Sequence, residues 1–187
     1  MRIINKDELK HEPKLINELK QSIFIYPTDT IYGIGCDATN HGLIVKIREI
    51  KQSFSQPFSI IIPNKNMIYE NCKINKKTKE FVDKLPGPYT LIFEAKKPFF
   101  APNVNPYNNT IGIRIPDHWF YQHIKKMKVP IITTSANLSG GDIMTSIEDL
   151  NSELKKKVDF IIDDGEIKGK PSTLIDLSKD DIEVKER

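Results

Sequence analysis

The sequence predicts an α/β fold built on a mixed β-sheet, and three observations carry that reading. Short β-branched or aromatic runs alternate along the chain with stretches whose apolar residues recur at helical spacing. The 187 residues are 39% hydrophobic and 28% charged, enough for one domain with its own core, so a single unit over residues 1–187 is expected. Neither G-x-G-x-x-G nor a Walker A sequence is present, which argues against a doubly wound nucleotide fold.

The elements follow in order. Met1–Asp7 lacks the apolar core of a signal peptide, and no apolar run approaches the roughly 20 residues that span a bilayer. Leu9, Leu15, Ile16 and Leu19 give helical spacing from Asp7 to Gln21, with Pro13 resetting the start. Ile23-Phe24-Ile25-Tyr26 reads as a buried strand that Pro27 ends. The stretch Tyr26–Asp37 then supplies two threonine hydroxyls, a carboxylate, Tyr32, and Gly33 and Gly35, which permit close backbone approach. His41–Lys51 is a helix capped by Asn40. Phe58–Ile62 is a strand, Lys76–Leu85 a lysine-rich helix stopped by Pro86-Gly87-Pro88, and Tyr89–Ala95 a strand. Lys96–Asn109 is a long Pro- and Asn-rich loop of the kind that is often functional.

Thr110–Ile115 alternates as a strand with Arg114 near its end, and Asp117 is expected to cap a helix to about Met127. Val129–Thr133 is an apolar strand leading to Ser135-x-Asn137. Ser146–Lys157 reads as a helix with a capping box, Val158–Ile162 as a strand, and Asp163–Ser172 as a polar loop. Thr173–Leu177 and Ile182–Val184 close the sheet. Cys36 and Cys72 make neither a disulfide framework nor a four-ligand zinc site, and a reducing cytoplasm is the simplest setting. The net charge of +3 is too mild to identify nucleic-acid binding.

Several polar clusters share one position, the end of an apolar strand, where ligands bind in α/β sheets. Thr28-Asp29-Thr30, Lys51, Arg114, Ser135-x-Asn137 and Ser172-Thr173 all fall there. Hydroxyls, an amide, a lysine and an arginine together suit an anionic, hydroxyl-rich ligand. The histidines His11, His41, His118 and His123 fall elsewhere and read as surface residues, so a Ser/His/Asp triad and a histidine metal site are not expected. Singly, each cluster has a plainer reading: Lys51 as a solvated C-terminal lysine, Arg114 as a strand-edge arginine, Ser135-x-Asn137 as a turn.

Six stretches then match one family in order and spacing: Pro27–Gly35, Ile50-Lys51 with Pro57-Phe58-Ser59, Leu85–Thr90, Gly112–Pro116, Thr134–Gly140 and Pro171–Leu174. The chain resembles the YrdC-like threonylcarbamoyl-adenylate synthases, in their single-domain form, along nearly its whole length. The resemblance implies a twisted mixed sheet flanked by helices, with a concave, positively charged face. It also implies a nucleotidyltransferase reaction: L-threonine, bicarbonate and ATP give threonylcarbamoyl-adenylate and pyrophosphate, for modification of tRNA. ATP enters as substrate with Mg2+, and no protein metal site is implied. Thr28, Thr30, Tyr32, Arg114 and Ser172 are the implied threonine residues. Lys51, Thr110, Ser135, Asn137 and Arg187 are the implied ATP residues, with Lys51 in the catalytic role. The implied partners are a downstream threonylcarbamoyl-transferase complex and contact with tRNA or double-stranded RNA, and the implied setting is the cytoplasm.

One departure stands out. The family usually carries Lys-x-Arg where this chain reads Lys51-Gln52-Ser53. Arg48, three residues before Lys51, is placed to compensate in part. A second reading is a non-catalytic RNA-binding module on the same fold, with Lys73, Lys76, Lys77, Lys79, Lys84, Lys96 and Lys97 following a phosphate backbone. The carbamoyl-transfer domain of hydrogenase-maturation proteins shares the fold, but normally brings further domains and zinc-binding cysteines.

Overall fold

A computed structural model of the chain describes residues 1–179 and 181–186. The first half holds β1 (Arg2–Ile4), α1 (Lys6–His11), α2 (Lys14–Lys20), β2 (Phe24–Tyr26), β3 (Gly33–Gly35), α3 (His41–Lys51), β4 (Ser59–Ile61), α4 (Asn66–Asn71), α5 (Lys76–Asp83) and β5 (Tyr89–Glu94). The second half holds a 3-10 turn (Pro102–Val104), β6 (Thr110–Arg114), α6 (Tyr121–Met127), β7 (Ile131–Ser135), α7 (Ser152–Lys157), β8 (Phe160–Ile162), β9 (Thr173–Asp176) and β10 (Glu183–Lys185). Among the described residues the strands join in one sheet, in the order β1-β8-β2-β3-β7-β4-β6-β5-β9-β10. Pairing is mixed, as expected: β2 runs parallel to β8 and antiparallel to β3, and β6 runs parallel to β4 and antiparallel to β5.

Strand periodicity sends successive side chains to opposite faces of the sheet, and here each face meets its own core. Phe24, Tyr26, Ile61 and Ile131 pack with Leu9, Leu15 and Leu19 of the first two helices and with Phe120 and Ile124. Ile25, Ile60 and Ile132, their chain neighbours, pack with Leu43, Ile44 and Ile47 of α3 on the other side. Tyr26 stacks on Phe120 at 5.5 Å and donates its hydroxyl to the Ile132 carbonyl at 3.1 Å, which satisfies a fully buried polar atom. Asn40 caps α3 by accepting the Leu43 N–H, and Gln52 ends it in the left-handed region at φ 49°. Among the described residues no helix is long and apolar enough to cross a membrane.

Some expectations change. The strand β1 and the helix α4 are present where none was read, and the glycines of Gly33–Gly35 form a strand rather than part of a turn. Gly35 can do so because a Cβ there would meet the Ile132 carbonyl at 2.0 Å. Asp117 does not cap a helix: helical turns begin at Tyr121, and the Asp117 N–H donates to Asp29 at 3.1 Å. The helix read from Ser146 starts only at Ser152, because Asn151 accepts the Glu153 and Leu154 N–H groups as its cap. Thr145 and Asp149 instead close a turn through their side chains. His123 is buried beside Trp119 and Phe120, and His118 binds Asp164, so these two are not surface histidines.

Candidate functional site

The strand ends bring the polar clusters to one cavity of about 290 Å3. Thr28, Arg114, Ser135 and Ser172 line it, from four separate stretches of chain. Ser59, Thr90, Thr133 and Thr134 add hydroxyls to its walls, and Ile31, Phe58 and Ile143 add apolar surface.

Arg114 ends β6 and is 6% exposed. Its Nη2 donates to Asp29 Oδ1 at 2.9 Å and to Thr30 Oγ1 at 3.0 Å. Its Nε is buried and has no partner among the described residues. Burial lowers the guanidinium pKa and the Asp29 carboxylate opposes that, so the charge persists in a largely dry setting. A fork with donors left over is suited to a carboxylate or phosphate.

The turn after β2 is braced by its own hydroxyls. Thr30 Oγ1, which accepts from Arg114, lies 2.9 Å from Thr28 Oγ1, and Thr28 donates onward to the Ile31 carbonyl at 2.7 Å. The Thr28 hydroxyl also accepts the Thr30 and Ile31 N–H groups. Both threonines therefore hold the turn against Arg114, and of the two only Thr28 reaches the cavity wall.

Lys51 sits at the last turn of α3 and is 6% exposed. Its ammonium donates to the Ser135 carbonyl at 2.7 Å, the Asn137 carbonyl at 2.7 Å and Asn137 Oδ1 at 2.6 Å. A longer contact of 3.4 Å reaches the Ser135 hydroxyl, so the ammonium's donors are met by four oxygens. Burial pulls its pKa down to about 8. Asn137 Oδ1 also accepts the Ser135 hydroxyl at 2.6 Å, so Lys51, Ser135 and Asn137 form one cluster, of which Ser135 reaches the cavity wall.

The loop 163–172 reaches the cavity at its end, through Pro171 and Ser172. Tyr32 holds it: the hydroxyl donates to the Gly165 carbonyl at 2.8 Å and accepts the Asp164 N–H at 3.0 Å. Burial raises the Tyr32 pKa to about 12, so the phenol stays protonated. Tyr32 is not among the residues lining the cavity. His118 Nε2 meets Asp164 Oδ2 at 3.0 Å on the same loop, where burial lowers the histidine pKa against the carboxylate. Gly169 packs so closely on Thr30 that a Cβ there would lie 1.6 Å from its carbonyl. At the loop's end, Ser172 and Thr90 share a buried hydroxyl contact of 2.7 Å.

Thr110 opens β6, four residues and about 13 Å from Arg114. Its hydroxyl donates to Asn108 at 2.6 Å. Arg187 lies outside the described residues. Arg48 does not stand in for the charge missing at Ser53. Its five N–H groups go to the carbonyls of Ser53, Gln56, Asn103 and Val104, and its guanidinium lies 4.5 Å over Phe58. It ties the 53–56 and 103–104 loops together and has no donor left for a ligand. Among the described residues no group of His, Cys, Asp and Glu could hold a metal ion.

Sequence reasoning missed Ser59, Thr90, Thr133 and Thr134 as wall residues. All four lie in strands, but Thr133 and Thr134 are neighbours on β7 and both reach the wall, so a period of two would not have found them together. It also missed Gly112, where a Cβ would meet the wall residue Ser59 at Oγ, 2.5 Å away.

A hydroxyl-walled cavity with one buried arginine lies at the strand ends of a mixed-sheet α/β protein. The chain belongs to the Sua5, YciO and YrdC family, described as Telomere recombination, which matches over residues 19–187. A Methanocaldococcus jannaschii protein, provisionally named a threonylcarbamoyl-AMP synthase, is 39% identical over 184 residues, 96% of this chain and 86% of that one. The human threonylcarbamoyl-AMP synthase is 31% identical over 166 residues, 84% of this chain and 59% of the human one. P. abyssi Sua5 complexed with L-threonine superposes with a TM-score of 0.86 at 25% identity, covering 98% of this chain and 56% of that one. E. coli YciO superposes at 0.85 with 23% identity, over all of this chain and 94% of its own, a likeness of fold. The chain thus spans most of the archaeal relative and somewhat over half of the human and P. abyssi proteins.

Proposed function

We propose that this protein is a threonylcarbamoyl-AMP synthase, acting as one domain over residues 1–187. It joins L-threonine, bicarbonate and ATP into threonylcarbamoyl-adenylate and pyrophosphate. The observation that carries this reading is Arg114, a buried guanidinium with an unpartnered Nε on a hydroxyl-lined cavity. The threonine held by P. abyssi Sua5 supports it.

In this reading the threonine carboxylate binds Arg114, and Ser172 with Thr90 faces the polar end of the amino acid. Thr28, Thr30 and Tyr32 shape that subsite, the last two from behind the wall. The carbamate formed on the threonine nitrogen attacks the α-phosphate of ATP and releases pyrophosphate. Such chemistry depends on positioning and on stabilising phosphate charge rather than on a protein nucleophile. Ser135, Asn137 and Thr110, with Arg187, are assigned to the nucleotide, and Lys51 to the phosphates. Lys51 reaches them by exchanging one oxygen of its cage for a phosphate oxygen. Mg2+ would arrive bound to ATP, with the phosphates as its main ligands. The product passes to a threonylcarbamoyl-transferase complex acting on tRNA, in the cytoplasm.

The test is incubation with ATP, threonine and bicarbonate, with pyrophosphate and the adenylate as readouts. Release that depends on threonine is the expected result. Ser53 and the committed Arg48 leave fewer free charges for a triphosphate, which favours the RNA-module reading. Absence of turnover together with tight, salt-sensitive RNA binding would select it.

A further inference from the structure

We infer that Asp29 is the positioning residue of this site: it orients Arg114 for its carboxylate ligand and does not touch that ligand. The inference deepens the synthase reading and rests on it for the identity of the ligand. Asp29 is not among the residues lining the cavity, whereas Thr28 before it and Arg114 beside it are. Its two carboxylate oxygens have separate tasks. Oδ1 accepts from Arg114 Nη2 at 2.9 Å, and Oδ2 accepts the Asp117 N–H at 3.1 Å. The side chain therefore pins the guanidinium to the segment that follows β6. Both partners are largely dry, with side-chain exposures of 7% for Arg114 and 11% for Asp29.

Thr30 supplies the second contact to Nη2. Two acceptors on one nitrogen fix the plane of the fork, and the remaining donors keep a set direction. A ligand then meets an arginine that has no orientational freedom left to lose.

The two effects of Asp29 on an incoming carboxylate oppose each other. Its charge repels the ligand and partly neutralises Arg114. Its geometry places the fork. If charge dominated, removing Asp29 would tighten carboxylate binding. If placement dominates, removal weakens it, and a shift of about 1 Å at such a site can cost on the order of a hundredfold. The burial of the pair favours placement, because a guanidinium stripped of its partner here turns toward whatever oxygen remains.

Asp29→Asn is the informative change. Asparagine is nearly the same size but has one acceptor oxygen where two acceptor contacts are made, so one contact must break. The first readout is the Arg114 Nε–Hε signal in nitrogen-15 NMR of the ligand-free protein. A sharp, slowly exchanging signal in the wild type that broadens or averages in Asp29→Asn is expected, and an unchanged signal overturns the inference whatever the ligand. The second readout is calorimetric titration of threonine and of ATP into the wild type, Asp29→Asn, Arg114→Lys and the double variant. Threonine affinity is expected to fall at least tenfold in Asp29→Asn, with ATP affinity within twofold. The second substitution should add little in the Arg114→Lys background, since residues acting through one another are not additive. Tighter or unchanged threonine binding, full additivity, or parallel loss of ATP binding overturns it. A wild type that binds no threonine contradicts the synthase reading, and the NMR comparison still decides the role of Asp29.

Discussion

In the proposed synthase, Arg114 is the residue on which threonine recognition turns, and its environment sets the expected size of its effect. Removing a buried partner of a carboxylate costs about 2–5 kcal/mol. Arg114→Ala should therefore weaken threonine binding by at least about thirtyfold in calorimetry, and an unchanged affinity would refute the assignment. Lys51 gives a pH signature. Its pKa falls to about 8 through burial, so the charge is present below that pH and lost as pH rises through it. ATP affinity should drop as pH passes from 7 to 9, and the drop should vanish in Lys51→Met. For stability the sign is opposite: between about 8 and 10.5 the unfolded chain holds a proton at Lys51 that the folded chain has released, so this group raises stability with pH in that window. At Ser53, restoring arginine adds a charge-assisted contact of about 1.5–3 kcal/mol, so Ser53→Arg should tighten ATP by about tenfold or more in the same titration. That increment is needed because Arg48 is spent on backbone carbonyls.

The 163–172 loop and β6 are the elements that shape the cavity. Tyr32 satisfies two backbone groups of the loop at once, so Tyr32→Phe leaves a donor and an acceptor of residues 164 and 165 without it. Faster hydrogen exchange across the loop is expected, with a loss of about 1–3 kcal/mol in stability. In β6, Gly112→Val would force side-chain bulk against Ser59 and Thr90, an overpacking of about 1–3 kcal/mol that displaces two wall residues. Threonine binding should fall with it, as read by titration. The elements show what a linear reading reaches and where it stops. The helix His41–Lys51 was legible because its cap and its apolar spacing agree. The late start of α7 was not, because a plausible Ser146 box competed with Asn151, and only the fold shows which cap forms. The strand Gly33–Gly35 was hidden because glycine has no strand signature, and its reason lies across the sheet in Ile132. Thr28, Arg114, Ser135 and Ser172 were found as strand-end residues, whereas the supporting tasks of Thr30, Tyr32 and Arg48 depend on distances no spacing encodes.

At the scale of the molecule, one mixed sheet gathers side chains from residue 28 to residue 172 around a single cavity. That convergence, in a chain of the Sua5, YciO and YrdC family, is the basis for assigning adenylate chemistry to it. The most direct test is pyrophosphate release from ATP with bicarbonate present, measured with and without L-threonine, on the wild type and on Arg114→Ala. The account predicts release that requires threonine, yields threonylcarbamoyl-adenylate, and is lost in Arg114→Ala at matched threonine concentration. Release that is indifferent to threonine, or that survives intact in Arg114→Ala, would contradict it.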